Sequence, residues 1–367
     1  MGTRRALRTG RPGRTATRAT DPAQANARQL AVLAGQPPKR TPPPPPPDAP
    51  TTAYRVTLGR IAQESYRLAA ETVLAEVRRL QQIADAYRAD TEEDDKRAAE
   101  QDKPHTPEQK EALDVPESLD DSIVVLQQRA KTYAESLDTD RITNKHAKQV
   151  ETFNRGVTLR VLGDLGLNPI PNGSEMAKAR DAWVKENAAL IVSQPLEVAD
   201  RCGQVVREMV PGGSRWETIA KRLEEEQGIA SRRAALIARD QVSKYNAELT
   251  KIQQRGAGIE YYMWMGAMDN RERPSHVALQ GTVWSWDRPP PVGSPGEPCQ
   301  CRCWASPVTS EDAKKFAVAW TPEELAARTA ELGPTQREGP DATPEQVAKR
   351  AAREVAAEVK LAQRRTP

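Results

Sequence analysis

Four segments between Ile259 and Val308 decide the fold: IEYYMWM (259–265), DNRERPSHVALQG (269–281), TVWSWD (282–287) and CQCRCWASPV (299–308). Aromatic and β-branched residues predict strands at Ile259–Met265 and Thr282–Trp286, and we expect a third strand at Arg302–Val308. Proline at the first helical position and Gly281 as a stop predict a short helix at Pro274–Gln280. These segments indicate a small β unit in a chain whose other periodic segments are helical.

We therefore predict a predominantly α-helical α+β protein. An elongated N-terminal helical region would precede a compact C-terminal domain with a small antiparallel β unit. Composition changes divide the chain into a disordered, basic, proline-rich arm (1–52), an elongated helical region with an acidic linker (53–170), the compact domain (171–310) and a charged helical tail (311–367).

The overall composition supports incomplete packing. Of 367 residues, 38% are hydrophobic and 4% aromatic, and 30 are proline, which is unusual for a fully globular chain of this length. No apolar run reaches 18 residues, so we expect no membrane span, and the N-terminus lacks the apolar segment of a secretory signal. Four cysteines, three of them crowded together, fit a reducing compartment better than a disulfide scaffold.

Helical periodicity runs through most of the remaining sequence. The pattern from Ala53 to Ala89 predicts one long amphipathic helix, which needs a partner helix from this chain or from another protein. We expect four further helices, at Glu175–Ile191, Pro195–Val210, Arg215–Gln227 and Arg232–Arg255. In the tail, the capping sequences that begin at Thr321 and Thr343 predict two weakly apolar helices, for which we expect oligomer contacts or partial disorder.

A cluster of His and Cys residues offers three interpretations. As a metal site, His276 with Cys301, Cys303 and Cys299 would provide nitrogen and sulfur ligands suited to Zn²⁺. Against this, only one residue separates successive cysteines, whereas zinc sites usually have two to four. A strand would therefore place the three thiols in one row.

The other two interpretations need no metal. For catalysis, Asp269 or Asp287 could orient His276 as a base, and a thiol could be the nucleophile. For a structural role, Arg271 and Arg273 would bind carboxylates or helix ends, and the cysteines would pack as small hydrophobic groups under the tryptophans. The structural interpretation is favoured by the residues alone, because no nucleophile or phosphate-binding motif accompanies the cluster.

The N-terminal arm is the candidate nucleic-acid contact. Basic residues in a segment with too little apolar surface to pack can neutralise phosphates, although a solvated tail is an equally good interpretation. The candidate residues are Arg4, Arg5, Arg8, Arg11, Arg14 and Arg18.

The run from Ser231 to Val308 resembles the phage Mu F-like head-morphogenesis family. The resemblance rests on ARDQVSKYNAEL, D-x-R-x-R-P-S-H-x-x-L-x-G-x-V-W and Q-C-R-C-W-A-x-P, in this order and separated by a Pro/Gly-rich loop. It implies that residues 171–310 form a Mu F-like domain. We call the following residues the signature site and expect them to shape this domain: Asp269, Arg271, Arg273, His276, Gly281, Arg302 and Cys303.

The chain departs from some family members at three positions. Those members have a Cys-x-x-Cys pair where this chain has Arg273 and His276, and a histidine where it has Pro298. This departure weakens the inference, from the family alone, that the chain has a metal site.

The resemblance implies a minor head protein of a tailed bacteriophage or prophage, incorporated near the portal during procapsid assembly and helping DNA packaging or ejection. The implied partners are the portal protein, other capsid or scaffolding proteins, packaged DNA through the arm, and further copies of the chain. The implied location is the virion interior, with the host cytoplasm during assembly, and neither a membrane, a cofactor nor catalytic turnover is expected. Two alternatives stay open: a virion-carried zinc- or thiol-dependent hydrolase, and a DNA-binding internal head protein.

Overall fold

The fold was analysed in a computed structural model. It describes residues 21–35, 43–101, 116–170, 172–309, 313–334 and 341–364, without the side chains of 87, 88, 90–101 and 116–118. In these ranges the helices are α1 (Pro22–Ala34), α2 (Asp48–Gln101), α3 (Pro116–Ser136), α4 (Thr139–Asp164), α5 (Gly173–Met209), α6 (Trp216–Gly256), α7 (Pro274–Ala278), α8 (Ala313–Phe316), α9 (Pro322–Glu331) and α10 (Pro344–Gln363). The strands are β1 (Tyr261–Met265), β2 (Val283–Ser285) and β3 (Trp304–Val308).

Helices α2, α5 and α6 form a frame that contains two successive hydrophobic cores. Helix α3 completes the first helical core, where Ile123 and Leu126 meet Val73 of α2 and Cys202 of α5. Helix α4 completes the second helical core, where Val150 meets Tyr54 of α2 and Trp183 of α5. Because α2 and α5 pass from the second core to the first and α6 returns, α6 runs antiparallel to both.

The β unit follows directly from the end of α6. Its three strands form an antiparallel sheet in the order β2-β1-β3. The register places Tyr262 opposite Trp284 on one side and opposite Pro307 on the other. The predicted fold class, a predominantly helical α+β protein with a small antiparallel sheet, is confirmed.

The tail helices belong to the same packed body as the sheet. The side chains of Thr321 and Thr343 form the expected capping boxes at the starts of α9 and α10. Leu325 of α9 and Val355 of α10 are buried with Trp264 and Trp284 in an aromatic core. The expectation of partial disorder in the tail therefore does not hold for these two helices, because Leu325 and Val355 are buried against the tryptophans.

The expected disorder of residues 1–52 is wrong for α1. Asp21 caps this helix, and Asn26 exchanges two hydrogen bonds with the backbone of Asn168, each with a donor–acceptor distance of 2.7 Å. Leu33 packs with Leu162 of α4 and with Ile259 before β1. The apolar side chains of α1 were too few to predict a helix from the sequence. In the fold they pack against apolar residues of α4 and of the segment before β1.

The helices α2, α5 and α6 are longer than predicted. Helix α2 continues to Gln101 through the first part of the expected acidic linker, and α5 is continuous although Pro195 lies inside it. Helix α6 passes through residues 228–231, which we expected to separate two helices. The partners of α2 are α3, α4, α5 and α6 of this chain, so both helical cores contain residues from either side of the expected boundary at 170/171.

Within the part of the chain that the structure describes, no helix combines the length and the apolar character that a membrane crossing requires.

Candidate functional site

The site is built where α7 meets the loop before β3. His276 lies on α7, which begins at Pro274 and is followed by Gly281, whose φ of 75° fits the predicted helix stop. Cys301 and Cys303 end the proline-rich loop that leads into β3. This loop is fixed to α6, because the amide of Gln300 donates a hydrogen bond of 3.0 Å to Asp240.

One ring nitrogen of His276 faces two cysteine sulfurs. His276 Nδ1 lies 3.6 Å from Cys301 Sγ and 3.4 Å from Cys303 Sγ. The ligand atoms of these three residues all lie within 4.8 Å of one another. His276, Cys301 and Cys303 are 2%, 3% and 7% exposed, so the cluster is inside the protein.

Backbone amides stabilise negative charge on Cys301. The N–H groups of Gly296 and Cys303 point at Cys301 Sγ, with N–S distances of 3.3 and 3.4 Å. Hydrogen bonds to the charged form of an acid favour that form. The loop is therefore shaped to hold a thiolate.

The opposite side of the imidazole faces α10. Glu358 Oε2 lies 3.5 Å from His276 Nε2 and accepts a 3.0 Å hydrogen bond from Ser275 Oγ. Glu358 Oε1 forms a 2.8 Å ion pair with Arg273, whose second Nη donates to the carbonyl of Cys299. The Glu358 carboxylate of the tail therefore contacts the His276 imidazole, the Ser275 hydroxyl and the Arg273 guanidinium.

These contacts shift the ionisation of the cluster. Burial opposes the charged form of His276, but Cys301 and Glu358 outweigh it and raise the pKa of the imidazole to about 9. Burial also opposes the Cys301 thiolate, yet hydrogen bonds from Cys303 and His276 lower the pKa of Cys301 well below its usual value. The pKa of Cys303 is raised, first by its hydrogen bond to Cys301 and then by burial and Glu272. These shifts all favour negative charge on Cys301 over Cys303, next to a protonated imidazole.

Glu272 approaches the cluster from the loop before α7. Its Oε1 accepts a hydrogen bond of 3.0 Å from Cys303 Sγ, and its Oε2 accepts one from the amide of Met268. A Cβ at Gly266 would lie 2.2 Å from Glu272 Oε1. Glycine is thus needed at position 266 for the carboxylate to occupy this place.

The remaining charged residues of the signature site pair away from the imidazole. Arg302 binds Asp269 through two hydrogen bonds of 2.5 Å, and Arg271 lies 3.3 Å from the same carboxylate. Arg302 lowers the pKa of Asp269 far below its usual range. Asp287 forms a 3.0 Å ion pair with Arg255. Neither Asp269 nor Asp287 therefore orients His276, as the catalytic interpretation would have required; Glu358 is the carboxylate beside the ring.

The predicted metal ligands are brought together only in part. His276, Cys301 and Cys303 converge, but Cys299 is not in this group of donors and instead presents its carbonyl to Arg273. Sequence reasoning missed Glu272 and Glu358. Glu272 stands inside the quoted motif, whereas nothing in the sequence marks Glu358, on a distant tail helix, as part of the site. The six arm arginines, Arg4, Arg5, Arg8, Arg11, Arg14 and Arg18, lie outside the described residues.

A cavity of about 550 Å³ lies on the other side of the cysteine segment, between α4, α6 and β3. Pro43–Pro47, Phe153 and Trp304 are among the residues around it. It borders the site but is lined mainly by apolar groups.

Comparison with known proteins supports the resemblance over this region. Residues 200–306 match the family model described as Phage Mu protein F like protein, from the second half of α5 into β3. The chain is also similar to a protein of Haemophilus influenzae described as uncharacterized, with 34% identity over 139 residues. That alignment covers 38% of this chain, and the chain spans only 30% of the relative's length. No solved structure gives a significant match.

Proposed function

We propose that this chain, which carries a Mu F-like region at residues 200–306, is a minor head protein of a tailed bacteriophage or prophage. The family match carries the proposal. We further propose a role in procapsid assembly near the portal, contact with the portal protein and other capsid or scaffolding proteins, and a place inside the virion. Help with DNA packaging or ejection belongs to the same proposal.

The geometry of the signature site supports a docking role. Arg302 makes its ion pair within the domain, Arg273 pairs with Glu358 of the tail helix α10, and His276 is buried. Arg271 also pairs with Asp269, but its side chain is 74% exposed, and Met268, three residues earlier in the same loop, is 54% exposed. The loop around Arg271 therefore presents a cation and an apolar side chain to a partner, while the rest of the motif holds the loop in shape.

The proposal is tested by comparing procapsids assembled with the wild-type chain and with a variant of this loop. We expect Arg271→Glu to lower the copy number of the protein in purified procapsids several-fold, because it reverses the charge at the docking loop. Lys178→Glu is the matched control, since Lys178 is also 74% exposed but lies at the start of α5, outside the Mu F-like region. Mass spectrometry of procapsids and virions, with crosslinking to the portal, provides the measurement. Absence of the wild-type chain from both particles would refute the assembly role.

We also infer that the cluster of His276, Cys301 and Cys303 does not turn over a substrate. The burial of Cys301 supports this, because a nucleophilic thiol must reach its substrate. We expect iodoacetamide to alkylate the partly exposed Cys299 of the folded chain much faster than Cys301, as read by peptide mass spectrometry. Preferential alkylation of Cys301 would instead favour a thiol enzyme.

A further inference from the structure

We propose that His276, Cys301 and Cys303 bind one Zn²⁺ ion, with Glu272 as the fourth ligand and Glu358 orienting the imidazole. This site goes beyond the assembly role and does not depend on it. The ligand set differs from the one that the sequence suggested, because Glu272 takes the place of Cys299.

The donor atoms are spaced as zinc ligands are. With Zn–N of about 2.0–2.1 Å and Zn–S of about 2.3 Å, a tetrahedral site separates nitrogen from sulfur by roughly 3.6 Å. The two distances from His276 Nδ1 to the sulfurs are 3.6 and 3.4 Å. Both nitrogen–sulfur distances therefore fit one ion, and the two sulfurs lie within 4.8 Å of each other. Sulfur with imidazole favours zinc over magnesium or calcium.

The groups around the donors are those that support a bound metal. A ligating histidine normally donates its second ring N–H to a carboxylate or carbonyl, which fixes the tautomer. Glu358 lies on that side of His276, 3.5 Å from Nε2, and Arg273 Nη1 lies 3.2 Å from the same nitrogen. Ser275 and Arg273 hold the carboxylate there. The amides of Gly296 and Cys303 support the Cys301 thiolate in the same way.

Glu272 lies against the cluster, but like Cys299 it is outside the group of donors that are all within 4.8 Å of one another, so it must move toward the ion to become the fourth ligand. Its carboxylate touches Cys303, and the amide of Met268 fixes its other oxygen. Gly266 leaves the space that this approach needs. A carboxylate, a histidine and two thiolates give a four-coordinate set without Cys299.

Metal content of the purified full-length chain tests the site directly. We expect close to one zinc per chain by elemental analysis after purification without chelators. After exchange, Co²⁺ should give the intense sulfur-to-metal charge-transfer and d–d absorption of a tetrahedral thiolate site. A chain that is folded by circular dichroism but holds less than a tenth of an equivalent of zinc, and gives no such spectrum, would overturn the proposal.

Single substitutions test which side chains bind the ion. Cys303→Ser should abolish or strongly reduce zinc binding, whereas Cys299→Ser and Cys202→Ser, the latter in the first helical core, should retain it. Glu272→Gln should change the d–d bands of the Co²⁺ form but keep the charge-transfer band. Glu358→Gln should weaken affinity by about 10- to 100-fold, as loss of a supporting partner does. Loss of zinc in Cys299→Ser, in a protein that still folds, would refute this ligand set.

Discussion

Gly266 sets the distance between β1 and the loop that carries Glu272. A side chain at this position would overlap the Glu272 carboxylate, because the nearest oxygen lies 2.2 Å from an added Cβ. The carboxylate is also held by the Met268 amide, so it cannot move aside without losing that bond. Substitution at Gly266 therefore disturbs packing and the candidate ligand together.

We predict that Gly266→Ala destabilises the protein by about 1–3 kcal/mol, because the Glu272 carboxylate must move aside and lose its charged hydrogen bond from the Met268 amide. The matched control is Gly156→Ala on the exposed face of α4, where an added Cβ meets nothing within 4 Å. Gly156→Ala should increase the free energy of unfolding by roughly 0.5–1 kcal/mol, because glycine inside a helix is unfavourable. Denaturant unfolding measures both, and equal effects of the two substitutions would contradict the packing argument.

His146 is a second buried imidazole, within the helical part of the molecule. It lies between Tyr54, at 4.8 Å between ring centroids, and the polar groups of Thr57 and Gln149. Burial lowers its pKa below 6.5; Gln149 acts against this shift and Lys145 adds to it. The folded chain therefore takes up a proton at this site less readily than the unfolded chain.

We predict that His146 weakens the fold as the pH decreases. Above the unfolded pKa of about 6.5 the ring is neutral in both states and its stabilisation is complete; below it, stability is lost as the pH falls toward the folded pKa. His146→Gln should therefore lose less free energy of unfolding between pH 7 and pH 5 than the wild type does. Denaturant titrations at both pH values measure this difference, and identical losses would contradict the prediction.

At the scale of secondary-structure elements, α10 has an unexpected role. It packs on α7 and α9 and places Glu358 against His276 and Arg273. It also contributes Val355 to the aromatic core. The tail helix is thus part of the wall of the candidate site.

We predict that a chain ending at residue 340 unfolds at a lower temperature and exchanges the amides of α7 faster than the full chain. Removal of α10 leaves Arg273, Ser275 and His276 without Glu358 and exposes the aromatic core. A chain that lacks only residues 365–367 provides the control. Hydrogen exchange by mass spectrometry locates the effect, and unchanged protection of Pro274–Ala278 would contradict it.

The elements that sequence reasoning predicted well are those with local signals. The sheet, α7 with its stop at Gly281, and the capped starts of α9 and α10 each depend on residues next to one another in the chain. The breaks expected in α5 and α6 were wrong for the same reason. Pro195 and Ser231 are local signals for a helix boundary, but burial along both helical cores outweighs them.

The candidate site was only partly predictable. His276, Cys301 and Cys303 were chosen for their chemistry, and the fold brings them together. Glu358 could not be found, because 82 residues separate it from His276 and only tertiary packing joins them. The charge partners of Asp269 and Asp287 likewise depend on distant arginines, Arg302 and Arg255.

At the scale of the whole molecule, the described body begins at α1. This helix is anchored to the backbone of Asn168 and Ala257, so the candidate DNA-binding arm is shorter than the 52 residues first expected. Residues 1–20 contain six arginines and no acidic residue. Their removal leaves the cap of α1 at Asp21 in place.

We predict that deletion of residues 2–20 weakens binding to duplex DNA and flattens its dependence on salt. If all six arginines contact phosphates, the slope of log K against log salt concentration would change by about 5. A full-length variant with the six arginines replaced by glutamine separates charge from length. An unchanged slope in both variants would reject the arm as a DNA contact.

The continuous frame of α2, α5 and α6 has a mechanical consequence. The 41 residues of α6 extend over about 60 Å and lead, through residues buried with α1 and α4, into the first strand of the sheet. No hinge separates the two helical cores along this path. A displacement of the tryptophan-rich end would therefore be transmitted along α6 to both helical cores.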